Sequence, residues 1–239
     1  MLSLPALAEH GTHTYRQAAP SVVLLLPSWP GFQRPGFGAP DGVAPEGSGF
    51  YLAPNLKAGQ PTPFILTSAH VVSRARRIEI ETHTQIRMDA ELILLDEARD
   101  IALLKVEQQG VSLGISDSIA PETGSHVCAL GNPFGLGVSL SCGVVSATGR
   151  QAGFQRIEDF IQTDAAINPG MSGGALVDSS GQLVGMINAI FTKEADIDAG
   201  VNFAISVALM LEGLAFDNSP FCSAENRSDL LTNCPVSLD

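Results

Sequence analysis

Short apolar runs punctuated by glycine and proline set the limits on how this chain can fold. Its 239 residues hold 24 Gly and 15 Pro, and the Val-, Ile- and Leu-rich stretches between them are too brief for ordinary helices. That punctuation predicts an all-β protein. Strands are expected at 21–26, 47–53, 63–68, 77–82, 88–95 and 101–106, then at 125–130, 138–148, 157–163, 174–178, 182–191 and 200–205. Six and six, parted by the stretch 110–121, predict two similar β modules, over 21–115 and 116–211. Helical pattern is confined to a short turn at 69–75 and an amphipathic segment at 207–216. The Pro- and Gly-rich stretch 27–46 reads as a long surface loop, 1–20 as an N-terminal segment, and 212–239 as a polar tail.

Charge narrows the functional classes. Acidic side chains outnumber basic ones by 25 to 13, which argues against nucleic acid as a partner. Arg74, Arg76 and Arg77 form the one basic cluster and read as a solvated turn. Charged residues are only 16% of the chain, which fits either faces covered by sister subunits or a surface of Ser, Thr and Gly. No apolar run reaches the ~18 residues of a membrane-spanning helix. Ala6-Leu7-Ala8 matches a signal-cleavage triplet, a pattern that also arises by chance. Cys128 and Cys142 lie in apolar strands and are expected as buried thiols. Cys222 and Cys234 bracket a short polar segment, where either a disulfide or two thiols would fit. No Cys/His spacing fits zinc, so neither metal nor cofactor is expected.

Three segments can carry chemistry. His70 follows an apolar strand in Thr67-Ser68-Ala69-His70, Asp100 leads into the apolar run 101–104, and Ser172 sits among glycines in Gly170-Met171-Ser172-Gly173-Gly174. Glycines at such a turn allow positive φ, so successive N–H groups can converge on one cavity and bind a developing oxyanion. A Ser hydroxyl is a weak nucleophile that needs a His as base and a carboxylate to hold the tautomer of that His. The order His, Asp, Ser is that of the chymotrypsin fold. Elsewhere, Gly131-x-x-x-Gly135 lacks the Lys of a phosphate loop, Asp196-x-Asp198 only begins a calcium loop, and Asn226-Arg227-Ser228 is a glycosylation sequon. His10, His13, His83 and His126 read as surface or packing residues.

Taken together, these segments resemble the protease domain of the HtrA/Deg family of trypsin-like serine proteases. The likeness rests on Gly47-Ser48-Gly49-Phe50, 67–72, 100–106, Ala129-Leu130-Gly131-Asn132-Pro133-Phe134-Gly135, 162–170, Ser172-Gly173-Gly174 and 200–205, within a span from Tyr15 to Leu211. It implies two six-stranded antiparallel β-barrels with the active site between them, and a short C-terminal helix. His70 would be the general base, Asp100 its orienting acid and Ser172 the nucleophile. Gly170, Met171 and Ser172 would form the oxyanion turn, and Ile167, Asn188, Ala189 and Ile190 the substrate pocket. Apolar walls there imply cleavage after small aliphatic residues. Arg150 matches the loop arginine through which such enzymes are switched on, or is a surface turn residue. Tyr15 matches the N-terminal aromatics of family trimers, or packs on its own barrel.

Two departures stand out. The family carries Asn where this chain has Met171, and a thioether offers no ion pair for activation by a new N-terminus. The residues after Leu211 are too few for a PDZ domain, so the resemblance points to the PDZ-less plant and algal branch of the chloroplast thylakoid lumen, with a bacterial periplasm as the alternative. The expected activity is degradation of unfolded or damaged proteins, as a homotrimer or a hetero-oligomer with related Deg subunits. A catalytically weak, chaperone-like or scaffolding subunit is the other reading.

Overall fold

A computed structural model describes residues 7–29, 47–117, 119–188 and 200–222, with only the backbone of 7–10. The first barrel comprises β1 (Val22–Ser28), β2 (Gly47–Tyr51), β3 (Pro61–Thr67), β4 (Arg77–Thr82), β5 (Arg87–Asp96) and β6 (Ile101–Val111). The second comprises β7 (His126–Gly131), β8 (Ser139–Arg150), β9 (Phe160–Thr163), β10 (Ala175–Asp178), β11 (Leu183–Asn188) and β12 (Asn202–Ser206). Both are closed and antiparallel, and both run in the same order: β1-β2-β3-β6-β5-β4 and β7-β8-β9-β12-β11-β10. The shared order gives the six-and-six division a structural basis that no residue repeat supplies.

Many strands are apolar on both faces because both faces are covered. Val23, Leu25, Ile65, Ile80 and Leu104 fill the first barrel, and Val127, Ala129, Val145, Ile161 and Val184 fill the second. Side chains of the opposite parity, such as Val22, Phe50, Leu66, Leu130 and Phe160, join one continuous cluster outside the barrels. Helix α3 (Val207–Leu214) closes over that cluster. Ser206 caps it by accepting from the Leu209 N–H at 3.1 Å.

Helix α1 (Leu7–Ala18) has no counterpart in the sequence reading, because Gly11 and four residues of the His/Thr kind give it a weak helical pattern. Packing against β7, β8 and β10 holds it instead. Thr14 is buried there and donates to the Ser179 carbonyl at 3.1 Å. The short turn at 69–75 appears as α2 (Ala69–Val72).

The cysteines correct the sequence reading. Cys128 and Cys142 are not thiols: they face each other in register across β7 and β8 and form a disulfide. Antiparallel pairing brings positions 14 apart into direct opposition, which spacing alone does not disclose. Cys222 is also disulfide-bonded, and Cys234 lies outside the described residues. So do most of the 27–46 loop, the Asp196 and Asp198 segment and the Asn226 sequon. No described helix is long and apolar enough to cross a membrane.

Candidate active site

His70 lies in α2, at the end of β3, and Asp100 occupies the residue before β6. Because β3 and β6 are neighbours, with Thr67 opposite Ala102, the two side chains meet. One Asp100 oxygen accepts from the His70 backbone N–H at 2.8 Å, and the other stands 2.8 Å from His70 Nδ1. This double grip leaves Nε2 as the outward nitrogen. Asp100 is 4% exposed and has φ 58°, a left-handed conformation that Asp tolerates better than bulkier residues.

Ser172 comes from the second barrel, on the turn before β10, and is buried. Its carbonyl accepts from the Ser48 N–H of β2 at 2.8 Å. Gly173, at φ 81°, lies so close to the first barrel that a Cβ there would come within 2.3 Å of Thr67 Oγ1 and 2.8 Å of the Ser68 nitrogen. Those are the residues leading into α2, so a glycine is required for Ser172 to approach the His70 segment.

The turn itself is pinned at each peptide. Met171 N–H donates to the Asn168 carbonyl at 3.0 Å, Gly173 N–H to Ile187 at 2.9 Å, and Gly174 N–H to Met171 at 2.9 Å. The Pro169 carbonyl accepts from Phe134 N–H at 2.9 Å, and the Gly170 carbonyl from the Ser48 hydroxyl at 2.7 Å. Among the described residues, the N–H groups of Gly170 and Ser172 have no acceptor. Gly170, at φ 96°, admits no Cβ, because Asn132 O would lie 2.4 Å from it. Two N–H groups on one turn with a Ser, left open while their neighbours are all engaged, have the chemistry to bind an oxyanion.

Met171 answers the question its substitution raises. Its side chain is buried with Val127, Ala165, Ile167 and Leu176, and its Sδ accepts from the Asn168 N–H at 3.4 Å. The thioether thus ties the turn to itself.

The comparisons with known proteins agree with this geometry. The family model for a trypsin-like peptidase domain matches residues 47–186. This chain belongs to the HtrA/Deg family of trypsin-like serine proteases. It is 39% identical over 163 residues to the periplasmic pH-dependent serine endoprotease DegQ of Escherichia coli K12, covering 67% of this chain and 35% of DegQ. It is 40% identical over 169 residues to a probable periplasmic DegP-like serine endoprotease of Ectopseudomonas mendocina, covering 70% of this chain and 34% of that one. Among solved structures it resembles an HtrA-type protease AlgW with tripeptide, at TM-score 0.71 and 36% identity over 84% of this chain and 61% of that chain. A serine endoprotease from Yersinia pestis gives 0.66 and 31% over 88% and 66%. The chain spans about a third of the length of the curated relatives it matches.

Ile167 is buried beside Met171. Asn188, expected in the substrate pocket, is 3% exposed and its Nδ2 donates to Asp100 at 3.2 Å. Ala189 and Ile190 lie outside the described residues. Arg150 is exposed at the end of β8. Tyr15 is 39% exposed and its hydroxyl donates to Val138 of its own barrel at 3.3 Å. A cavity of about 280 Å³ beside it is lined by Arg16, Glu81, His83, Asn132 and Val138.

Two residues have roles that the sequence reading did not assign. Ser48 is fully buried, donates to Gly170 and accepts from the Asn132 N–H at 2.8 Å, so it clamps the turn from the opposite barrel. A Ser between two glycines in an apolar strand was its signal. A Cβ at Gly47 or Gly49 would stand 2.4 Å from Val71 or 2.8 Å from Ile65. Glu158 accepts four N–H bonds, from Ala152, Gly153, Phe154 and Gln155, at 2.5–2.8 Å, and so shapes the loop after Arg150. Burial alone raises its pKa, but those four donors outweigh burial and hold it below the ordinary carboxylate value. No sequence pattern marks it.

Proposed function

We propose that this chain is a serine endopeptidase that degrades unfolded or damaged proteins, with His70, Asp100 and Ser172 as its catalytic triad. The observation that carries this reading is the pair of open N–H groups at Gly170 and Ser172, on a turn that packs through Gly173 against Thr67 and Ser68, the residues leading to a His held by a buried Asp. The Ser172 hydroxyl attacks the peptide carbonyl while His70 Nε2 takes its proton. The carbonyl oxygen becomes an oxyanion held by the two N–H groups. Protonated His70, steadied by Asp100, then gives its proton to the leaving amine and the C–N bond breaks. A water, deprotonated by His70, attacks the acyl-enzyme and releases the carboxylic acid product.

Ile167 in an apolar surround supports cleavage after small aliphatic residues such as Val and Ala. The disulfides, together with relatives named as periplasmic, support an oxidising, extracytoplasmic site of action, of which the thylakoid lumen is one case. Exposed Tyr15 beside its cavity supports assembly with further copies or related Deg subunits, and exposed Arg150 supports a switching contact.

Incubation with a denatured protein tests the reading. The wild type is expected to degrade it, to spare the same protein when folded, and to leave product C-termini enriched in Val and Ala. Ser172→Ala and His70→Ala are expected to lose activity by about 10⁶. Equal degradation by Ser172→Ala would overturn the assignment.

A further inference from the structure

We infer that His126, Cys128 and Cys142 form a thiol–disulfide redox site through which a dithiol reductant loosens the oxyanion turn. The inference rests on the protease reading for its effect on activity, although its chemistry stands apart from that reading.

The two sulfurs are unequal. Cys128 is fully buried on β7, whereas Cys142 is exposed on β8. An incoming thiolate therefore reaches Cys142 first, and Cys128 is the leaving group. A thiolate released in an apolar place needs a proton or a counter-charge. One ring nitrogen of His126 lies within 4.8 Å of both sulfurs. Its Nδ1 is buried and has no hydrogen-bond partner among the described residues, so no protein group holds that nitrogen elsewhere.

The exchange balances. The first thiolate of the dithiol attacks Cys142 Sγ, the Cys128–Cys142 bond breaks, and Cys128 takes a proton delivered through His126. The second thiolate of the reductant then attacks its own sulfur in the mixed disulfide and releases Cys142. The protein gains two electrons and two protons as two thiols, and the reductant becomes a disulfide.

Both arms of this hairpin hold the site. Downstream of Cys128, β7 ends at Gly131 and passes to Asn132, whose N–H is bound by Ser48, and to Phe134, whose N–H holds the Pro169 carbonyl. Downstream of Cys142, Gly143 packs on Asp164 and Ala165, and Val144 N–H donates to the Asp164 carboxylate at 2.7 Å. Residues 164–170 are thus gripped on both sides by strands that the disulfide joins, so cutting it frees both grips together.

The test uses the whole chain, oxidised and folded, titrated with dithiothreitol under native conditions. Free thiols are alkylated and mapped by mass, and fluorophosphonate labelling of Ser172 is timed in parallel. Cys128 and Cys142 are expected to become alkylated well below the denaturation midpoint. The labelling rate should fall about tenfold and return on reoxidation. Cys142→Ser is expected to be fixed at the low rate whatever the reductant, and Cys222→Ser to respond as the wild type does. His126→Asn is expected to slow reduction of the Cys128–Cys142 pair about tenfold. Protection of both cysteines until global unfolding, or a labelling rate indifferent to their state, would overturn the inference. Absence of labelling in both states would instead count against the protease reading, with the alkylation map still reporting on the redox chemistry.

Discussion

Replacing Ser48 by Ala removes a single oxygen and tests how the oxyanion turn is held. The hydroxyl is fully buried and makes two bonds, donating to the Gly170 carbonyl at 2.7 Å and accepting from the Asn132 N–H at 2.8 Å. Without it, one part-buried acceptor and one buried donor lose their partners, at about 1–3 kcal/mol each, so the stability loss is expected at about 2–6 kcal/mol. In a domain of this size that lowers the melting temperature by about 4–24 °C. The effect on catalysis is separate. Gly170 lies between two peptides, one pinned by Phe134 through Pro169 and the other by Ser48. Freeing the second lets the Gly170 N–H leave the oxyanion position part of the time. One such donor is worth about 10²–10³ in turnover, so a partial loss is expected to lower kcat about 10- to 100-fold with little change in KM. Steady-state cleavage of a peptide, well below the melting temperature of the variant, separates the two effects. A variant that melts early but keeps kcat within twofold would refute the reasoning and leave Ser48 a packing residue.

Asn188→Asp sets a second carboxylate 3.2 Å from Asp100 and turns a donor into an acceptor, so kcat/KM is expected to fall about a hundredfold in steady-state assays. Met171→Asn puts an amide into an apolar cluster but replaces an anchor that already works. A stability loss of about 1–3 kcal/mol is expected, with less than threefold change in peptidase rate. A gain of tenfold or more would mean that the native turn is tuned down. Glu158, whose pKa is lowered on folding, contributes stability that is present above its unfolded value of about 4.3 and is lost as pH falls through its lower folded value. Melting curves between about pH 3 and 6 are expected to show that loss in the wild type and a smaller pH dependence in Glu158→Gln.

The strands were legible because each apolar run is short and ends at Gly or Pro, as with Val22 to Leu26 before Pro27. Their order within each barrel was not, since pairing such as Phe64 with Lys105 joins segments far apart along the chain. Helix α1 was missed because tertiary packing, not propensity, holds it. His70, Asp100 and Ser172 stood out as candidates because the chemistry demands a His, an Asp and, for the nucleophile, a Ser in a glycine-rich turn; the structure joins the first two at 2.8 Å. The direction of Asn188 was not: strand parity turns it toward Asp100, and a one-residue change of register would turn it away. The Cys128–Cys142 bond was hidden for a similar reason, since it depends on the register of the β7–β8 hairpin.

The central claim is that Ser172 is an activated nucleophile set beside two open N–H groups. Mass mapping of the folded protein after treatment with a fluorophosphonate tests it most directly. A single adduct on Ser172, absent in Ser172→Ala and slowed at least about 10³-fold in His70→Ala, is the expected result. An unmodified Ser172 in folded, oxidised protein, or an adduct that forms as fast without His70, would contradict the account.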